Sequence, residues 1–218
     1  MFDSLSYQKL IQELQPYQAA LVAVSKKKPL TDIELALAQG QHIFGENYVQ
    51  ELCEKQPQLP QNIEWHFIGH LQSNKIKYIA PFVHTIQTVD SVKLLSEIDR
   101  ITGKHNRKIN VLLQVYIAIE ETKFGLDADE VLNLFDYGFS SYPNIRIAGL
   151  MGMASNTDNI SLIRTEFKSL KNLFDKIKPG LDKTVTPVLS MGMTSDYKIA
   201  LDEGSTMIRI GSALFGSR

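Results

Sequence analysis

The sequence predicts one (β/α)8 barrel of the TIM type, an α/β fold, entered through an extra N-terminal helix. Three observations lead there. Short apolar, partly β-branched runs alternate with helical patterns along the chain, and strict alternation calls for a parallel sheet. Eight such pairs fit within 218 residues, as a compact barrel requires. No proline- or glycine-rich linker separates them, so a single domain over 1–218 is expected. A doubly wound open sheet is the main competitor.

Leu5, Leu10, Ile11 and Leu14 recur at helical spacing, and Pro16 ends the pattern. The first strand is the apolar run Leu21-Val22-Ala23-Val24-Ser25, stopping at Lys26. A helix follows Pro29, capped by Thr31 or Asp32 and closed by Gly40. His42 to Glu46 is the second strand, with a helix from near Asn47, and Pro57 to Asn62 is a polar loop. Glu64 to about Gly69 is the third strand and Ser73 to Ile79 a short helix. His84 to Val89 is the fourth, followed by a helix capped by Asp90 or Ser91 and reaching about Thr102. The fifth strand is Val111 to Ala118, and Leu126 to Tyr137 is helical with Asp127 near its cap. Ile145 to Met151 is the sixth, before a long amphipathic helix, Ile160 to Ile177, stopped by Pro179-Gly180. Thr186 to Ser190 is the seventh, and Ser195 or Asp196 caps a helix ending at Gly204. Met207 to Ile210 is the eighth, with Ser212 to Phe215 a last turn.

Composition narrows the classes. The chain is 44% hydrophobic and 22% charged with a formal net charge of -1, so no global field favours nucleic acid or an anionic membrane. Cys53 is the only cysteine, which rules out an intrachain disulfide and fits a reducing compartment. Met1 to Pro16 lacks the apolar centre of a signal peptide, and no apolar run approaches the roughly 20 residues that cross a bilayer. A cytoplasmic protein is expected.

In a barrel, function collects at the C-terminal ends of the strands. Lys26 stands at such an end. Lysine is rarely buried without a partner, and a low-polarity setting yields a neutral amine able to form an imine with a carbonyl compound. The competing reading is a snorkelling lysine in a solvated basic loop with Lys27 and Lys28. Loops after strands seven and eight often bind phosphate in barrels. Gly192 and Gly211 allow backbone amides to approach an anion, Ser190, Thr194 and Ser212 add hydroxyls, and a helix begins near Ser195. Glycines serving only tight turns are the alternative. Arg209 adjoins this region; an ion pair with Glu203 or Asp202 is the commoner fate of such a residue. Beside a pyridine ring it would leave the ring nitrogen neutral, since a guanidinium with pKa above about 12 accepts no proton. His66 and His70 sit four apart, but on a strand that puts them roughly 13 Å apart, and no metal is assigned. Cys53 reads as core rather than nucleophile. No Gly-x-Ser-x-Gly, Walker or Gly-x-Gly-x-x-Gly pattern occurs.

Five ordered motifs then resemble one family: Ala23-Val24-Ser25-Lys26, Phe44-Gly45-Glu46-Asn47-Tyr48-Val49-Gln50-Glu51, Trp65-His66-Phe67-Ile68-Gly69-His70-Leu71-Gln72-Ser73-Asn74-Lys75, Leu189-Ser190-Met191-Gly192-Met193, and Arg209-Ile210-Gly211 with Phe215-Gly216. From about Leu21 to Gly216 the chain is similar to the pyridoxal phosphate homeostasis proteins, single-domain relatives of the alanine racemase N-terminal barrel. The resemblance implies a fold-type III barrel carrying pyridoxal 5'-phosphate (PLP) as a Schiff base on Lys26. It implies a phosphate cradle at Ser190, Gly192, Thr194, Gly211 and Ser212, Met191 as a further cofactor-binding residue, Arg209 facing the pyridine nitrogen, and Asn47 near the ring. His66 and Asn74 belong to a family motif without an assigned role. Tyr116 stands where the family usually has asparagine, which changes the shape of any substrate space. Thr194 replaces the commoner serine and keeps its hydroxyl.

The resemblance implies a protein of vitamin B6 homeostasis that holds PLP without significant turnover and passes it to apo-enzymes. Racemases of this type append a second domain, and racemisation needs a group on each face of the substrate. Neither is expected here, no residue is assigned a catalytic role, and a monomer is expected. A PLP-dependent amino-acid racemase using Tyr48, Tyr116 or His66 as second base is the alternative. A barrel isomerase or aldolase binding a sugar phosphate is the third reading.

Overall fold

The computed structural model describes residues 1–118, 124–136 and 142–216. Eight strands close into a barrel in sequence order: β1 (Ala20–Val24), β2 (Ile43–Glu46), β3 (Glu64–Phe67), β4 (Thr85–Val89), β5 (Ile109–Val115), β6 (Ile145–Gly152), β7 (Val188–Ser190) and β8 (Met207–Ile210). Every neighbouring pair is parallel, and β8 returns to β1 with Leu21 opposite Ile208 and Ala23 opposite Ile210. The open-sheet alternative falls on that last pairing.

The helices are α1 (Ser4–Leu14), α2 (Leu30–Ala38), α3 (Val49–Lys55), α4 (Ile76–Ile79), α5 (Val92–Gly103), α6 (Ala128–Asp136), α7 (Ile160–Ile177), α8 (Tyr197–Asp202) and α9 (Ser212–Phe215). They bury one stripe each. On α7, Ile163, Phe167, Leu170, Phe174 and Ile177 follow the three-and-four spacing onto the barrel. The strands are buried on both faces, as a parallel sheet wrapped by helices requires: all five residues of β4 are buried. No helix among the described residues is long and apolar enough to cross a membrane.

Several local expectations shift. Tyr137, placed at the end of the helix that follows the fifth strand, lies outside the described residues. The cap of α2 is Pro29, with no side-chain cap bond. Asp32 turns inward instead, where it accepts the Phe2 amide at 3.1 Å and pairs with the N-terminal ammonium at 3.4 Å. Phe2 also packs on Phe215 at 5.5 Å, and the Asp3 amide donates to the Leu214 carbonyl, so α1 is tied to α9 beneath the strand ends. Local capping preference yields here to a tertiary tie. Asp127 does start α6, through a capping box: Glu130 N donates to Asp127 and Asp127 N to Glu130.

Gly149 marks the tightest contact in the wall. It lies where the β5–β6 register shifts, with φ +153°, and an added Cβ would sit 1.8 Å from the Val188 carbonyl oxygen. Gly149→Ala is expected to cost about 3 kcal/mol or more by forcing β6 from β7. A urea titration in which the variant's midpoint matches the wild type would refute this.

Candidate functional site

The C-terminal ends of the strands surround a cleft of about 290 Å³. Lys26, Asn47, Thr194, Arg209, Gly211 and Ser212 all line it, with Lys28, Ile68, Met153 and Met193. Six of the nine residues singled out from sequence therefore meet at one place, drawn from the ends of β1, β2, β7 and β8. The loops after β7 and β8 touch directly, Ser212 Oγ lying 3.4 Å from Thr194 Oγ1.

Lys26 is presented by a tight turn. The Lys28 amide donates to the Ser25 carbonyl at 3.0 Å, and Lys27 takes φ +59°, an uncommon conformation for a side-chain-bearing residue. The Lys27 amide is held by the Glu51 carboxylate. The three lysines separate by partner. Lys27 Nζ lies over the Tyr48 ring at 5.8 Å, and Lys28 Nζ donates to the Phe215 and Gly216 carbonyls at 2.7 and 3.1 Å. Lys26 lines the cleft.

Beneath that turn lies a buried ionic cluster. Lys55 Nζ donates to Glu46 Oε1 at 2.8 Å, to Glu51 at 2.7 Å and to the Ser25 carbonyl at 2.8 Å, while Ser25 Oγ donates to Glu46 at 2.6 Å. Burial pushes the Glu46 carboxyl above its ordinary value of 4.5, and Lys55 opposes this. Sequence reasoning missed Lys55. The four-residue step from Glu51 is visible on the helix, but the approach to Glu46 is tertiary.

Arg209 is 5% exposed and spans three strands: it donates to the Ser190 carbonyl at 2.9 Å, Ser190 Oγ at 2.6 Å and the Gly152 carbonyl at 3.1 Å. Burial pushes its pKa down to about 10, so it stays a cation at neutral pH. The surface ion pair considered for it belongs to Arg164, which holds Glu203 and Asp202. The Ser190 hydroxyl is redirected as well. It donates to Gln87 Oε1 at 2.7 Å inside the barrel, fully buried, rather than facing the cleft. Gln87 Nε2 in turn lies 2.8 Å from His66 Nδ1. Met191 is fully buried in the apolar core. Gly192 (φ +98°) does not line the cleft; an added Cβ would be 2.6 Å from Ala200 Cβ, so it seats α8 closely against β8.

Three other residues stand elsewhere. His66 does not reach the C-terminal rim: it points inward at the opposite pole, because side chains alternate along β3, and burial holds its pKa near 3. Asn74 is exposed in the 3-10 turn Ser73–Lys75. Tyr116 follows β5 and is not among the residues lining the cleft. His70 pairs with Asp90 at 3.2 Å and stacks on Phe124, apart from His66.

A family model described as the alanine racemase N-terminal domain matches residues 6–218. The pyridoxal phosphate homeostasis proteins of Pasteurella multocida and Haemophilus influenzae are 40% and 41% identical over 203 and 201 residues, covering 91% of this chain and 86% and 84% of theirs. This chain belongs to the pyridoxal phosphate homeostasis protein family. The human family member is 37% identical over 220 residues. Among solved structures, PipY of Synechococcus elongatus PCC7942 without PLP superposes with a TM-score of 0.88 at 34% identity, covering 97% of this chain and 98% of that one. Its form with PLP bound gives 0.85 at 33%. An alanine racemase from Bartonella henselae shares the fold, with a TM-score of 0.74 at 17% identity over 57% of its length.

The ionic cluster generates a test. Lys55→Met leaves Glu46 buried without its cation and should cost about 3–5 kcal/mol at neutral pH. A carboxyl whose folded pKa lies above its unfolded value loses stability as pH rises through that window. The deficit of Lys55→Met should therefore shrink as pH falls toward 4.5, the ordinary value. Chemical denaturation at several pH values reads it; a deficit that grows on acidification contradicts the assignment.

Proposed function

We propose that this chain holds pyridoxal 5'-phosphate in the C-terminal cleft as a Schiff base on Lys26, serves intracellular PLP homeostasis and releases the cofactor to apo-enzymes without significant turnover of its own. The single observation that carries the reading is the cleft itself, where a lysine on a strained turn shares one space with the two loops suited to an anion. Relatives named for PLP homeostasis and a PLP-bound PipY support the cofactor's identity.

The residues fit such a group. Asn47 Oδ1 is buried without a hydrogen-bond partner and lines the cleft, an atom awaiting a donor. Gly211 keeps its side open: a Cβ there would press on Val24 at 3.3 Å and narrow the space. Thr194 and Ser212 would hold the phosphate with backbone amides of the same loops. When bound, the cofactor supplies an aldehyde for amines and an electron-withdrawing ring. Arg209 lines the cleft as a cation held by two strand carbonyls, so it offers a proton without accepting one and leaves a ring nitrogen neutral. The titratable groups lining the cleft among the described residues are Lys26, Lys28 and Arg209, all basic, and Lys28 is engaged by two carbonyls. That set favours retaining an anion over exchanging protons on two faces of a substrate.

Lys26→Ala should lose the visible absorbance of the purified protein, and borohydride reduction followed by peptide mapping should place the label on Lys26. A full band in the variant would show that another amine carries the cofactor. Deuterium incorporation at the α-carbon of any amino acid, above the rate with free cofactor, would overturn the carrier reading in favour of a racemase.

Asn47→Ala should weaken PLP retention by about 10-fold, the value of one hydrogen bond near 1–1.5 kcal/mol. Gly211→Val should weaken it further by filling the cradle. Equilibrium dialysis showing wild-type retention in both would put the cofactor elsewhere.

A further inference from the structure

The N-terminal pole of the barrel opens into a second cavity of about 580 Å³, twice the size of the cofactor cleft and on the opposite face. It is framed by the first residues of six strands, among them Ala20, Ile43, Glu64 and Met207. A barrel's lower pole is ordinarily a packed end. This one gathers Glu64, His66 and His84, whose donor atoms all lie within 4.8 Å of one another.

Two residues that line this cavity carry a buried polar atom without a hydrogen-bond partner among the described residues: His66 Nε2, on a side chain only 2% exposed, and Asn110 Oδ1. Buried orphans are uncommon and point to something that completes them. The His66 and His84 rings are nearly parallel with centres 5.6 Å apart, and His84 Nδ1 lies 3.6 Å from Glu64 Oε2. His84 Nδ1 also lies 2.9 Å from Thr85 Oγ1, a contact that an ion would share or displace. Two imidazoles on one tetrahedral ion, with N–metal bonds near 2 Å, place their ring centres about 5 Å apart and their donor atoms about 3.3 Å apart. The pocket stands wider than that, with donor atoms separated by up to 4.8 Å, and the His84 ring, now parallel to His66, must turn for both lone pairs to meet one ion. Its two outer members can close, since the His84 and Glu64 side chains are 43% and 47% exposed. The other nitrogen of His66 meets the Gln87 amide at 2.8 Å, the kind of outer partner that orients a ligating histidine. Which end of that amide faces the ring is an assignment; turned end for end, it presents Oε1 to an Nδ1–H, frees His66 Nε2 to ligate, and reverses its bond to Ser190, whose Oγ then accepts from the amide instead of donating to it.

We propose that Glu64, His66 and His84 bind one divalent transition-metal ion of the zinc class at the N-terminal pole of the barrel. Two imidazoles and a carboxylate are a borderline donor set suited to zinc. Asn110 Oδ1 accepts from a water on the ion, and the remaining coordination faces the cavity. The site is separate from the cofactor cleft and does not depend on the function proposed for it.

The test uses tag-free, full-length protein as purified, titrated with Zn²⁺ against a chromophoric chelator and, separately, with Co²⁺ read by its visible absorption. One ion per chain is expected. His84→Ala and Glu64→Gln should each lower zinc affinity by at least about 10-fold, the loss that even an outer partner of a ligand produces. Both side chains are half-exposed, so circular dichroism should show intact folds. A variant with His42, His70, His105 and Cys53 all replaced should keep full affinity. Absence of zinc uptake, or uptake that survives both substitutions and disappears in the fourfold variant, would overturn the site and leave the two orphaned atoms to water.

Discussion

The buried guanidinium of Arg209 is the constraint around which the barrel is arranged. A cation 5% exposed carries a desolvation cost of several kcal/mol, and only hydrogen bonds of good geometry offset it. Arg209 finds them on two neighbouring strands, at the Ser190 carbonyl and hydroxyl and the Gly152 carbonyl. Its own strand pairs with β1, so one side chain joins β6, β7 and β8 beside the seam that closes the barrel. The chain of contacts continues inward through Ser190, Gln87 and His66 to β4 and β3. A polar line thus crosses an otherwise apolar interior, from the rim that holds Lys26 to the pole that holds Glu64 and His84.

The two ends of the barrel differ in electrical character. The C-terminal rim presents cations and the hydroxyls of two loops, with the Lys26 turn braced from below by Glu46 and Lys55. That brace is costly to bury and useful in geometry: it fixes the Ser25 carbonyl, and through it the turn that aims Lys26. The N-terminal pole presents a carboxylate and two imidazoles around a larger cavity. Separation by the packed interior keeps the basic rim and the carboxylate–imidazole pole from neutralising each other.

The fold was legible in the sequence to a large degree. Ile160–Ile177 and Met207–Ile210 have the bounds their patterns imply, because each pattern is long or sharply punctuated. The end of β2 at Glu46 was readable, and that of β1 at Val24 to within a residue, because apolar runs stop there beside chemistry-bearing residues. Caps were less legible. Asp32 carries a cap-forming side chain, yet it serves the N-terminus, whose arrival depends on the start of α1 being tied to α9. The hydroxyl of Ser190 was visible as a donor, but its direction was not; strand parity turned it toward Gln87.

The sequence by itself determined the alternation, the number of strands and the grouping of Lys26, Asn47, Thr194, Arg209, Gly211 and Ser212 at strand ends, since periodicity and punctuation are properties of neighbours along the chain. Tertiary structure alone decided that Lys55 would lie under Ser25, that Glu203 would take Arg164 and leave Arg209 to the core, and that His66 would meet His84 and Glu64 at the far pole. Those contacts depend on how eight strands stagger as they close, and a stagger is set by the packing of whole layers rather than by any local run of residues.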